Sequence, residues 1–114
     1  MSAPIIERHP LLNAALGSRN VTNVDIRRIT LGPGQKSGRH LHPCTVVGYI
    51  ASGTAFYQIE GEAAELLPVG SAFHEPAGRV IADFGNASDT TPMTFIAFYL
   101  LDGDQELITM LDKE

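Results

Sequence analysis

The chain predicts an all-β fold, a sandwich or barrel of antiparallel strands, and three observations predict it. Short runs rich in β-branched and aromatic residues recur at turn intervals of about 8 to 12 residues. Seven prolines and eleven glycines punctuate those runs, which favours strands and turns over helices. At 114 residues the chain makes one domain, and a chain of this size buries about 60 to 70% of its unfolded surface, enough for one modest core. Apolar content of 44% with 18% charged residues is ordinary for a globular protein.

Two regions divide the chain. Residues 1–20 form an N-terminal segment, interrupted by Pro4, Pro10 and Gly17, in which Leu11-Leu12 with Ala14-Ala15-Leu16 suit about one helical turn. This segment is expected to pack on the barrel or on a partner subunit. His9 precedes Pro10, which pushes it toward extended geometry at the surface. Residues 21–114 form the barrel domain. Between residues 21 and 31, Val24 and Ile26 alternate in one phase and Ile29 and Leu31 in the other, which predicts a bulge near Arg27 and Arg28. Gly32-Pro33-Gly34 then turns the chain.

Residues 45–51 and 54–60 are strand-like runs on either side of Ser52-Gly53 and predict a hairpin. Glu60-Gly61-Glu62 turns the chain into a short strand at 64–67, and Pro68-Val69-Gly70 leads to another at 71–75. Pro76-Ala77-Gly78 turns it again into 79–84. After a loop at 85–92, residues 93–101 are apolar on both faces, as expected of a strand covered by the core on one side and by a sheet or subunit on the other. Residues 105–111 predict a short C-terminal helix, since Asp104 can cap it and Leu107, Met110 and Leu111 share a face.

Charge excludes several function classes. The formal net charge is −5, and Lys and Arg number only eight. Arg27 and Arg28 are neighbours in a strand-like run and so face opposite sides, which leaves no basic patch for nucleic acid. No basic leader followed by a long apolar run opens the chain, and no stretch approaches the ~18 to 20 apolar residues that span a bilayer. The expectation is a cytoplasmic protein. The single cysteine makes no internal disulfide, in keeping with a reducing compartment. There is no GxSxG elbow and no phosphate loop, and Glu60, Glu62 and Glu65 crowd a turn as solvated charge.

Chemistry concentrates at His40-Leu41-His42. In an extended segment the two imidazoles point the same way, with Cys44 and Val46 following on that face. Side-by-side imidazoles suit a metal ion, although an HxH pair by itself also describes two solvated histidines. Cys44 could supply a thiolate, but a free cysteine more often serves as a small buried hydrophobe. His74 and Glu75 are adjacent on one strand, so only one of them can point inward. Tyr57 and Tyr99 carry no assigned role.

The stretch from Gly34 to Gly53, with its HxH, and that from Gly70 to Asn86, with Pro76-Ala77-Gly78, resemble the two motifs of the cupin superfamily. The run HPCTVVGYIASG through FHEPAG to FIAFYLL is similar to small bacterial single-domain cupins, some termed quercetinase-like. The resemblance implies a double-stranded β-helix, or jelly-roll, barrel with His40 and His42 as metal ligands. It also marks departures: the family's glutamate falls at Val46 or Val47, the second motif's histidine at Ile81, and its asparagine is displaced by one to Asn86. The site must therefore be completed from elsewhere. If the loop 76–80 has five residues, residue 75 pairs with residue 81 and Glu75 faces inward; with four, His74 becomes the ligand; the third possibility is neither. A two-histidine, one-carboxylate set favours iron, and zinc, manganese or nickel would also accept it. The resemblance implies a dioxygenase-type enzyme acting on a small molecule, with a metal-dependent isomerase or lyase, or a non-catalytic ligand-binding sensor, as alternatives. Family habit and the two-sided apolar strand imply a homodimer.

Overall fold

The computed structural model describes residues 4–111. Its strands are β1 (Asn23–Leu31), β2 (His40–Leu41), β3 (Thr45–Ser52), β4 (Ala55–Ile59), β5 (Glu65–Leu67), β6 (Ala72–Glu75), β7 (Ile81–Asn86), β8 (Met93–Leu101) and β9 (Thr109–Met110). They form a four-stranded sheet in the order β1-β8-β3-β6 and a five-stranded sheet in the order β5-β4-β7-β2-β9. All pairings are antiparallel. The architecture is an all-β double-stranded β-helix. Among the described residues no helix forms, and none is therefore long and apolar enough to cross a membrane.

Alternation builds the core. Along β8 every odd residue from Met93 to Leu101 is buried and every even one is only half-buried, so the strand presents one face to the interior. That face meets Phe73 and Phe84 through Phe95, with ring centroids 5.9 and 4.7 Å apart, and Tyr57 closes the aromatic cluster 5.8 Å from Phe84. Gly48 in β3 makes this packing possible: a Cβ there would run into the Phe73 ring and the Ile96 carbonyl. At Gly53 the backbone takes φ +77°, a left-handed turn in which a Cβ would also press on Met93 at 2.9 Å.

Four expectations are corrected. The runs on either side of Ser52-Gly53 are not a hairpin: β3 pairs with β6 and β8, whereas β4 pairs with β5 and β7 in the other sheet, so the turn carries the chain from one sheet to the next. No bulge interrupts β1, which keeps one register with β8 from Asn23↔Leu101 to Leu31↔Met93. The apparent change of phase arises because Val24 and Ile26 are apolar residues on the outer face, 51% and 60% exposed. The predicted C-terminal helix is absent. Instead β9 pairs with β2 (His40↔Met110, Leu41↔Thr109), and Leu111 donates its backbone N–H to the Arg39 carbonyl at 3.0 Å. Open backbone groups on the β2 edge outweigh the local helical preference. The described part of the N-terminal segment, residues 4–20, likewise forms no helical turn, and most of it is exposed.

Asn86 has a structural role. Buried at the end of β7, it donates to the carbonyls of Gly32 and Thr91 at 3.0 and 2.7 Å and accepts the Ser88 N–H at 2.9 Å. It thereby ties the turn after β1 to the loop before β8.

Candidate metal centre

Three elements bring the polar groups of the interior together. His40 lies in β2, His42 follows just beyond it, and Glu75 ends β6 in the opposite sheet. All three are buried, at 2, 3 and 4% exposure. One donor atom from each lies within 4.8 Å of the others. His40 Nε2 is 3.3 Å from Glu75 Oε1 and His42 Nε2 is 3.2 Å from Glu75 Oε2. The imidazole planes are nearly perpendicular, 79° apart, so the two rings approach the carboxylate from different directions.

The strand register explains how a carboxylate reaches this place. Glu75 is the direct cross-strand partner of Val46, one of the two positions, with Val47, on which the cupin pattern's glutamate falls. The acid thus enters the interior from the adjacent strand. It does so by a route other than the predicted one: residue 75 does not pair with residue 81, and it is His40 that pairs with Ile81. Ile81 is fully buried and fills the position of the pattern's last histidine. His74 alternates with Glu75 along β6 and is placed on the outer face beside Val47, half-buried, where burial holds its pKa below the usual histidine value. Cys44 is buried but lies outside the group of donor atoms, and burial pushes its thiol pKa up.

Backbone carbonyls settle the tautomers of the two histidines. His40 Nδ1 is 2.7 Å from the Gly38 carbonyl and His42 Nδ1 is 2.6 Å from the Leu107 carbonyl. A carbonyl only accepts, so each Nδ1 carries the hydrogen and each neutral ring turns a bare Nε2 lone pair toward Glu75. Lone pairs facing a carboxylate repel it unless a proton or a cation stands between them. His42 Nε2 has no hydrogen-bond partner despite its closeness to Glu75. An inward-facing, unsatisfied imidazole nitrogen beside a second imidazole and a carboxylate is a donor set that fits a divalent metal ion, with both Nδ1–H groups oriented from behind.

Protonation offers the other way to satisfy the cluster. Burial disfavours the charged form of His40, but Glu75, the Gly38 carbonyl and Asp83 outweigh it and hold the pKa above its ordinary 6.5. For Glu75 burial alone would raise the pKa, yet His40 and His42 hold it below the ordinary 4.5.

The cluster forms the polar floor of a cavity of about 170 Å³. Ile29, Leu31, Phe84, Phe95 and Ala97 make its apolar wall, and Tyr99 and Ser37 border the floor. The Tyr99 ring stands edge-on to His42, with centroids 5.8 Å apart, and burial holds its hydroxyl protonated. Ile108, just before β9, contributes the remaining side. Sequence reasoning missed the Gly38 and Leu107 carbonyls and Ile108. A backbone carbonyl leaves no mark in a sequence, and the only signal was the general need of a ligating histidine for an acceptor at its second nitrogen.

The family model of the cupin domain matches residues 27–108. No curated protein sequence matches the chain. Among solved structures, the chain is similar to a cupin-like protein from Thermotoga maritima, with 22% identity, coverage of 78% of this chain and 65% of that one, and a TM-score of 0.68. It is also similar to an oxalate oxidase, with 21% identity, coverage of 77% and 46%, and a TM-score of 0.65. A DMSP lyase from Ruegeria pomeroyi follows, with 17% identity, coverage of 76% and 42%, and a TM-score of 0.66. These likenesses are of fold, and the chain spans less than two thirds of the length of each of these proteins.

Proposed function

The chain belongs to the cupin-domain family, and from that premise we propose that it is a metal-dependent enzyme of the dioxygenase type that acts on a small chelating molecule. The observation that carries the proposal is the convergence of two Nε2 lone pairs and a carboxylate, one of them without any partner, on one buried point at the floor of a cavity. His40, His42 and Glu75 would hold the metal. Such a two-histidine, one-carboxylate set suits ferrous iron, and zinc, manganese or nickel would also be accepted. When bound, the metal supplies Lewis-acid polarisation of the chelated oxygens and, if redox-active, a site for dioxygen.

The chain's own residues do the rest. Leu107 and Gly38 carbonyls fix the two imidazoles. Ile81, buried and paired with His40, puts hydrocarbon where the family pattern has a further ligand, so a bound metal would have that position left for substrate. Ile29, Leu31, Phe84 and Phe95 hold the apolar part of the substrate and exclude water. Tyr99, neutral and edge-on to His42, offers its hydroxyl to a substrate oxygen.

A small cavity and a net charge of −5 support a small-molecule substrate rather than nucleic acid, and the single buried cysteine supports a cytoplasmic location. Elemental analysis of untagged protein tests the proposal. Iron near one per chain that vanishes in His42→Ala is expected; no metal in the native protein, even after anaerobic reconstitution with iron, zinc, manganese or nickel, would refute it.

A further inference from the structure

The inner face of the four-stranded sheet is laid out in rows set by strand register. One row runs Asp25, Tyr99, Val46, Glu75, from the edge strand β1 to the metal floor. The next runs Arg27, Ala97, Gly48, Phe73. Tyr99 and Ala97 line the cavity, and so do Ile29 and Leu31, which share the inward side of β1 with Asp25 and Arg27. Asp25 and Arg27 do not line the cavity themselves, but on the edge strand they stand directly beside Tyr99 and Ala97, which do. Arg27 is the one cation on this inner face among the described strand residues. Its charge and that of Asp25 are both felt by the Tyr99 hydroxyl, in opposite senses.

Arg27 is held without being saturated. Its Nε donates to Asp25 Oδ1 at 2.9 Å and its NH2 group to Oδ2 at 3.1 Å, a two-point contact that holds the guanidinium in plane. A guanidinium carries five N–H donors, so about three remain for a ligand, and the side chain is 54% exposed. Between this edge and the floor the wall is hydrocarbon from Ile29, Leu31, Phe95 and Ala97, broken by Tyr99. Apart from the Tyr99 and Ser37 hydroxyls at the floor, the cavity lining offers no donor to the second carboxylate of a compact dianion held on the metal, which would press against Ile29 and Phe95.

Resting on the metal-dependent reading above, we propose that Arg27, held by Asp25, binds an anionic group at the far end of the substrate, so that the cavity takes a small organic acid. Its chelating oxygens and its carboxylate stand at opposite ends of a short apolar chain.

The test compares two β-diketones by titration calorimetry at low ionic strength on metal-loaded protein. One is neutral 2,4-pentanedione; the other, 4,6-dioxoheptanoate, is a similar chelating head bearing a carboxylate arm. Native protein is expected to bind the acid about tenfold more tightly, a preference weakened by salt. Arg27→Gln should abolish the preference while leaving 2,4-pentanedione affinity and metal content unchanged. Arg27→Lys should restore part of it, since charge returns without the planar fork. Equal affinities in the metal-loaded native protein, or a preference that survives Arg27→Gln, would overturn this inference alone. Failure of the native chain to hold any metal would instead overturn the functional reading and take this one with it.

Discussion

Each imidazole at the floor of the cavity has committed its Nδ1 hydrogen to a backbone carbonyl, so what remains between His40, His42 and Glu75 is acceptors only. In the metal-free protein a proton must fill that gap, and the consequence is a pH window. The folded pKa of His40 is raised, so its contribution to stability is complete below the ordinary 6.5 and is lost as pH rises through the raised value. The folded pKa of Glu75 is depressed, so its contribution is complete above the ordinary 4.5 and is lost as pH falls through the depressed value. Metal-free protein should therefore be most stable between about pH 4.5 and 6.5 and lose Tm as pH rises through the raised pKa of His40. Metal-loaded protein should gain Tm over that same rise, because coordination requires neutral His40. Paired melting curves with and without chelator check this, and parallel profiles would contradict it. The histidine pair was legible because alternation along a strand is a local property. Glu75 was legible only as one of two adjacent residues, since what carries it to the histidines is its pairing with Val46, a contact between distant parts of the chain.

Among the elements, the C-terminal segment differs most from its sequence pattern. Leu107, Met110 and Leu111 do suit a helix face, but the edge of β2 is unpaired without β9, and a helix would take both the Leu107 carbonyl from His42 and Ile108 from the cavity. The same long-range logic hid the exchange between sheets at Ser52-Gly53, where local turn chemistry looks alike for a hairpin and for a crossover. Strand β8 was legible at full length because its apolar run is continuous. Removal of the residues after Asp104 should leave the barrel folded, since β9 contributes only two paired residues. Metal affinity should fall by about 10- to 100-fold, because the acceptor that orients His42 is gone. Leu107→Ala, which keeps the carbonyl, should retain most of that affinity. Chelator competition measures both, and a truncated chain with native affinity would show that the Leu107 contact is dispensable.

At the scale of the whole molecule, apolar side chains stay exposed on one sheet face and on the N-terminal segment. On the outer face of the four-stranded sheet, Val24, Ile26 and Tyr49 are 51, 60 and 40% exposed, and Ile96, Phe98 and Leu100 lie half-buried beside them. The N-terminal segment carries Ile5, Ile6, Leu11 and Leu12 at 88, 71, 59 and 45% exposure. Large exposed apolar patches are a mark of interfaces, and we propose that this face pairs two copies of the chain. A stable interface covers about 800 Å² on each partner, and a charge placed at its centre weakens association by about 100-fold or more, through a buried carboxylate with no partner. Light scattering should therefore give native protein about twice the 12.3 kDa chain mass, and Ile26→Asp should return it to the mass of one chain. Because Ile26 points away from the cavity, this variant should keep its metal. A native protein that stays at one chain mass at about 50 μM, where a 1 μM dimer would be nearly complete, would refute the pairing without touching the metal centre.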